Sequence, residues 1–280
     1  MRIIVTGASG FVGNRVVKEL FRRGIDVCAV SRHPLEFINS KVVDKYVNTP
    51  GGDILIHLAD NANRTQVNKK GISYVHETRE LSKGLISNRY QRIIFASSVA
   101  VYGDKLKKFH KPNDNVAPND IYSQSKLECE EIFENNNGVI ARLSNLYGSG
   151  MSSNNVFSTI TKQLTNSGEI KVWNDQPIRD FLWVHDAVDA LVEMALGQSK
   201  GIYNVASGKA VSIRELIQII IMTSPIYKEF KVTVTKPSDE YSSIMLDITE
   251  TFNSFGWMPK MTLENGIKKL LSKNNQMRIK

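Results

Sequence analysis

The chain has 280 residues and 41% hydrophobic content, enough to bury a sizeable core in about one or two domains. Its two cysteines form neither a disulfide framework nor a metal spacing, and no apolar run approaches the ~18 residues of a membrane span or the core of a signal peptide, so no metal, no membrane and a cytoplasmic setting are expected. The formal charge of +8 is spread along the chain, without the basic stripe or aromatic interleaving that nucleic acid would demand, and reads as a solvated surface.

The first element is the apolar β-branched run Ile3-Ile4-Val5, the pattern of a fully buried parallel strand. A glycine-rich turn follows at once, Thr6-Gly7-Ala8-Ser9-Gly10-Phe11-Val12-Gly13. Beyond it Val12, Val16, Val17, Leu20 and Phe21 recur at helical spacing among charged residues. In this strand–turn–helix order, Gly7 permits the tight turn and Gly10 lets backbone approach a ligand. Gly13 lets the helix pack closely on the strand. The free N–H groups and positive dipole end of the helix then suit a pyrophosphate. The spacing departs from the common G-x-G-x-x-G, and the flanking elements supply the confirming context.

Asp26 to Val30 reads as a second strand, followed by Ser31 and Arg32. An acid at this strand end would bond the adenosine ribose of NAD, and none stands at positions 30–33. A serine hydroxyl and a bidentate arginine suit a 2′-phosphate instead, so NADP(H) is favoured and NAD(H) is the alternative. A short strand is expected within 41–47, a turn at 48–52 and a buried strand over 53–59, with the intervening crossover helix reduced or missing. A helix over 72–87 and a buried strand over 92–96 follow, the latter ending in Ser97-Ser98.

Residues 122–135 read as a helix and 139–143 as a strand. Past Gly150 the strict alternation loosens. Helices are expected over 156–164, from an Asp186 cap to Leu196, from Ser212 to Met222, and near 249–255 and 263–271. Strands are expected over 170–173, 202–205 and 230–234. The pattern predicts an α/β Rossmann fold, a doubly wound parallel sheet with a smaller interleaved C-terminal substrate lobe. The dinucleotide domain would span 1–150, with 180–208 returning to it and 151–280 forming mainly the lobe.

Tyr122 and Lys126 lie four residues apart, hence on one helix face. A phenol with pKa near ~10 is a poor acid or base at neutral pH, and a nearby ammonium stabilises its phenolate. Ser98, at the carboxyl end of a parallel strand, lies where such sheets bind ligands. Together Ser98, Tyr122 and Lys126 suit proton transfer to or from an alcohol or ketone while hydride moves to or from a nicotinamide.

With these residues in view, the chain resembles the extended short-chain dehydrogenase/reductase superfamily in its nucleotide-sugar epimerase/dehydratase branch, nearly end to end. The resemblance is carried by the glycine turn, by Asp53 with His57-Leu58-Ala59, by Ser98 ahead of Tyr102-Gly103, and by Tyr122 with Lys126. Further matches are Arg142-Leu-Ser-Asn145-Leu-Tyr147-Gly148, Arg179-Asp180-Phe181 with Val184-His185-Asp186, and Phe255-Gly256-Trp257-x-Pro259.

The resemblance implies a nucleotide-sugar substrate and a homodimer formed through the helices carrying residues 72–88 and 122–135. It implies cofactor contacts from Gly7, Ser9, Gly10, Phe11, Val12 and Gly13, from Ser31 and Arg32, from Leu58 and Ala59, and from Tyr122 and Lys126. Substrate contacts would come from Ser98 and from Asn145 and Arg179 on the diphosphate; Asn145 as a turn cap and Arg179 paired with Asp180 or Asp186 are the plain alternatives. Two departures stand out. Tyr74 occupies the place given to a helix asparagine, and Val99 and Ala100 stand where family dehydratases carry two acids. The expected activity is reduction of a nucleotide-activated 4-keto deoxysugar by NADPH. An NAD-dependent 4-epimerase is the rival, and a non-catalytic dinucleotide-binding regulator is the reading from another class.

Overall fold

The computed structural model describes residues 1–276 other than 38, 89, 167, 225–229 and 239, and the backbone alone of 165, 166 and 273–276. The first half builds β1 (Arg2–Thr6), α1 (Gly13–Arg22), β2 (Asp26–Ser31), β3 (Ser40–Val42), β4 (Ile54–His57), α2 (Arg64–Lys70), α3 (Ile72–Ile86), β5 (Arg92–Ser98), β6 (Phe109–His110), α4 (Ile121–Glu134) and β7 (Gly138–Leu143). The second half builds β8 (Asn145–Tyr147), α5 (Val156–Asn166), β9 (Glu169–Val172), β10 (Ile178–Trp183), α6 (Val184–Leu196), β11 (Gly201–Val205), β12 (Ala210–Ser212), α7 (Ile213–Thr223), β13 (Lys231–Val234), β14 (Ser243–Leu246), α8 (Thr249–Phe255) and α9 (Leu263–Gln276).

A seven-stranded sheet runs β11-β7-β5-β4-β1-β2-β3, every pairing parallel. Because it is covered on both faces, its strands are apolar throughout. Ile3 and Val5 point into a core shared with Val16, Val17 and Leu20 of α1 and with α6. Ile4, between them, points the other way, into a core with Leu85 of α3 and Cys129 and Phe133 of α4. This is the expected Rossmann-type α/β fold, with the strand order reversing between β1 and β4.

The remaining strands form smaller sheets, β12-β10-β14-β6 with β8 against β10, and β9 with β13. Their apolar core includes Phe157, Ile160, Leu216, Ile220 and Ile267. This is the interleaved α/β lobe. β11 rejoins the large sheet as its edge strand beside β7, and α6 packs on the same face as α1.

Several details depart from expectation. Phe21 is exposed, since it sits one residue past the buried Leu20 and so rotates off the apolar stripe. β3 is three exposed residues, and only a short 3₁₀ turn at Tyr46–Asn48 bridges it to β4, in keeping with the reduced crossover. α2 was not expected. Its polar sequence buries only Val67, and it breaks at Gly71, whose φ of 67° reverses the chain into α3. Asp186 does not cap α6: the N-cap is Trp183, and the Asp186 carboxylate accepts a hydrogen bond from the Met261 backbone at 2.9 Å. Ser212 does cap α7, in a reciprocal capping box with Glu215.

Cys28 and Cys129 are both buried free thiols. Among the described residues no helix is long and apolar enough to cross a membrane, and no cluster of three or more His, Cys, Asp or Glu could hold a metal ion.

Candidate active site

A cleft of about 550 Å³ opens at the carboxyl ends of β1, β4 and β5, where the strand order reverses. Gly7, Gly10, Phe11, Val12, Gly13 and Leu58 line one end. Ser98, Tyr122, Lys126, Asn145 and Arg179 line the rest.

The glycine turn has steric reasons for its composition. Gly7 has φ +69°, and a Cβ there would lie 2.8 Å from the Ala59 nitrogen. A Cβ on Gly13 would sit 2.2 Å from the Gly7 carbonyl, so this glycine seats the helix on the turn. Val12, the N-cap of α1, has no side-chain cap bond, which leaves the positive end of the helix for a ligand. Arg15 braces the turn through its donation to the Phe11 and Ser149 carbonyls, both at 2.5 Å. An uncapped helix start behind a turn that lacks Cβ atoms at Gly7, Gly10 and Gly13 fits a dinucleotide pyrophosphate.

Four of the expected cofactor residues do not line the cleft. Ser31 is fully buried; its hydroxyl donates to Ser9 Oγ at 2.9 Å and accepts from the His33 amide. Ser31 and Ser9 therefore tie the end of β2 to the glycine turn. Arg32 is exposed, its guanidinium 5.7 Å from the Tyr46 ring centroid. Ala59 is buried beneath Gly7.

The two serines ending β5 separate by strand alternation. Ser97 is buried and donates to Glu130, which also accepts from Arg142 at 2.7 Å. Ser98 faces the cleft, half-buried, and its hydroxyl accepts from the Ala100 amide at 3.2 Å, capping the 3₁₀ turn Val99–Tyr102. Ser98, the serine that the resemblance points to, is thus the accessible one of the two.

Tyr122 sits in the first turn of α4. Asp120 and Ser123 form a capping box there, and Arg64 and Asn68 of α2 both donate to the Asp120 carboxylate. Burial works against that carboxylate, but the hydrogen bonds from Ser123, Arg64 and Asn68 outweigh it and hold its pKa at about 2. Asn68 also accepts the Tyr122 amide at 3.2 Å. The unexpected helix α2 is therefore what fixes the start of α4.

Lys126, one turn on, is buried. Its ammonium is 5.9 Å from the Tyr122 ring centroid and donates to the Ala96 carbonyl at 2.7 Å. Its other partner is Asp60, at 2.7 Å. Burial alone would lower the Lys126 pKa; the Asp60 charge and hydrogen bond reverse this and raise it. Asp60 was not singled out from sequence. The available signal was an acid two residues past Leu58, at the carboxyl end of a parallel strand. His57 is buried and neutral, desolvation pulling its pKa to about 3, and it bonds Thr6 Oγ1 at 2.7 Å. It is a strand histidine.

Asn145 and Arg179 converge from β8 and β10, which pair in parallel. Asn145 Nδ2 donates to the Asp180 carbonyl at 3.0 Å. Arg179 pairs with neither Asp180 nor Asp186. Its guanidinium donates to Ser242 Oγ at 2.6 Å and lies 3.5 Å from Asp104. Burial lowers its pKa, with the Asp104 charge opposing. Asp180 is buried, accepts from the Ser207 amide at 2.8 Å, and is pushed up to about 6 by desolvation.

A model of the family described as NAD dependent epimerase/dehydratase matches residues 3–206, from β1 to the residue after β11. The chain belongs to that family. It is 30% identical to the "Putative UDP-glucose 4-epimerase" of Methanocaldococcus jannaschii, over 98% of this chain and 99% of that one. It is 25% identical to the dTDP-4-dehydro-6-deoxyglucose reductase of Escherichia coli, over 96% of each. The solved structure of RMD from Pseudomonas aeruginosa complexed with NADPH superposes with a TM-score of 0.83 at 22% identity, over 99% of each chain. The family comprises nicotinamide-dependent epimerases, dehydratases and reductases of nucleotide sugars, and this member is an enzyme of that kind.

Proposed function

We propose that the chain is an NADP-dependent reductase of a nucleotide-activated 4-keto deoxysugar. The observation that carries this reading is the opening of Ser98, Tyr122 and Lys126 onto the cleft that the glycine turn also lines. When bound there, the reduced nicotinamide supplies hydride to the keto carbon. Tyr122 gives its phenolic proton to the keto oxygen, and Ser98 hydrogen-bonds that oxygen. Lys126 orients the nicotinamide ribose. Gly7, Gly10 and Gly13 admit the pyrophosphate, and Asn145 and Arg179 hold the sugar diphosphate. The large sheet, with α6 and β11 rather than the whole of 180–208 returning to it, takes the cofactor; residues 151–280 mainly supply the sugar side.

NADP is favoured by the lack of an acid at positions 30–33 and by Arg32, which is exposed beside the end of β2. A charge-assisted arginine–phosphate pair is worth about 1.5–3 kcal/mol, or roughly 10–100-fold in affinity. Nucleotide-stripped protein should therefore bind NADPH about that much more tightly than NADH, and Arg32→Ala should erase the preference. The second reading is an NAD-dependent nucleotide-sugar 4-epimerase, favoured by the archaeal relative. Preference for NAD that ignores Arg32, or copurification of oxidised NAD, would overturn the NADP-dependent reductase and make the epimerase the leading reading.

A further inference from the structure

Lys126 has three N–H donors. One meets Asp60 Oδ2 at 2.7 Å and a second meets the Ala96 carbonyl at 2.7 Å. A single donor is left for the nicotinamide ribose. The Asp60 carboxylate is itself fully engaged: its other oxygen accepts from the Tyr74 hydroxyl and from the Asn61 amide at 2.7 Å. Tyr74 is buried and also accepts from the Asn61 amide at 3.1 Å. Asp60 and Lys126 both line the cleft, Lys126 one helical turn from Tyr122.

We propose that Asp60 is a positioning residue, held by Tyr74 and Asn61, that takes up the charge of Lys126 so that Tyr122 stands in the cleft as a phenol ready to give its proton. This rests on Tyr122 being the proton donor, and it gives the site a preferred direction. In reduction the carbonyl π bond breaks, the carbon gains hydride from the reduced nicotinamide, and the oxygen gains the Tyr122 proton. Tyr122 is left as phenolate and is reprotonated from solvent. An ammonium already neutralised by a carboxylate holds that phenolate less firmly than a bare one. Oxidation of an alcohol needs the phenolate instead, and the same arrangement disfavours it. Tyr74, the departure from the resemblance noted on α3, becomes the residue that fixes Asp60.

The ion pair is strong enough for this role. Lys126 holds the Asp60 carboxyl below the usual carboxylate range despite its burial. The other charged or titratable groups around Tyr122 are accounted for. Arg64, 5.6 Å from its ring centroid, is paired to Asp120 at 2.5 Å. His57 is neutral, and burial pushes the Cys129 thiol up. Arg179 and Asp104, across the cleft, pair with each other. A void of about 20 Å³ beside Asp60, Lys126, Ser82 and Cys129 has room for one water, so a smaller residue at position 60 leaves Lys126 solvated.

The test needs neither substrate nor cofactor, so its failure is distinct from failure of the reductase reading. Protein carrying ring-labelled tyrosine is titrated by NMR, with Tyr122→Phe identifying the Tyr122 signal. Asp60→Asn should move that signal's midpoint down by about one pH unit, as expected for exposing one nearby unit charge. Asp60→Ala should move it the same way, and Asp60→Glu should restore the midpoint to near the wild-type value. Variants are first checked for native near-ultraviolet circular dichroism, and either neutral variant that folds suffices. A midpoint that stays put or rises in the neutral variants overturns the proposal and leaves Asp60 a purely structural partner of Lys126.

Discussion

The two walls of the cleft are assembled differently. On the α4 wall, Tyr122 and Lys126 lie within one helical turn, and their spacing is fixed by helix geometry alone. On the β10 wall, Arg179 is held by Asp104 and Ser242, 75 and 63 residues away in sequence. The α4 wall buries its cation against a carboxylate at 2.7 Å, and the β10 wall leaves its cation 3.5 Å from one. A loosely paired, desolvated guanidinium is suited to exchange its carboxylate for an incoming phosphate. A tightly paired lysine is suited to stay where it is while a proton moves nearby. In the proposed reaction, the wall assigned to the proton holds a balanced cation, and the wall assigned to the anion holds one open to exchange.

Substitutions can break this contrast in order of size. Tyr122→Phe should give the largest effect, a loss of about 10²–10⁴ in turnover with stability unchanged. Turnover retained in that variant removes Tyr122 from the chemistry. Arg179→Ala should raise KM for the nucleotide sugar by roughly 10–100-fold, the worth of a charge-assisted contact, and leave turnover within a few-fold. A fall in turnover with KM unchanged would place Arg179 on the proton-moving side instead.

Asp120→Ala should have the smallest effect, about 1 kcal/mol of stability at neutral pH from the lost N-cap. The folded-state pKa of Asp120 is depressed to about 2, so its contribution is present above the ordinary carboxylate range. It fades as pH falls from about 4 toward 2. Urea melts of wild type and variant should therefore converge over that interval.

The same contrast explains what could be read without coordinates. β1, the glycine turn and α1 are local patterns, and so are Tyr122 and Lys126; each is legible from spacing. α2 escaped because a polar helix with one buried residue has no apolar stripe to find. β6, β8, β12 and β14 escaped because they are two to four residues long, stabilised by neighbours rather than by their own periodicity. β10 is longer, but Arg179 and Asp180 interrupt its apolar run. Asp186 reads as a cap because an aspartate ahead of an apolar helix is an ordinary cap signal. Its actual partner, the Met261 amide, lies 75 residues away. Asp60 shows the limit most directly. Nothing near it in sequence indicates that its carboxylate meets a lysine 66 positions later, because that contact exists only once β4 and α4 pack.

The buried cluster of Ser97, Glu130 and Arg142 has a further consequence. Arg142 stands opposite Ser97 across the β5–β7 ladder, and Leu143 stands opposite Ser98. Adjacent strand residues face opposite ways, so a slip of one position would hand Ser98 to Glu130 and turn Ser97 toward the cleft. Two chemically identical hydroxyls lie side by side, and the sequence of the strand alone does not say which one meets a ligand. Glu130 and Arg142 act as a key that admits only one alignment of β5, and so an ion pair with no opening to the cleft decides which serine the cleft receives.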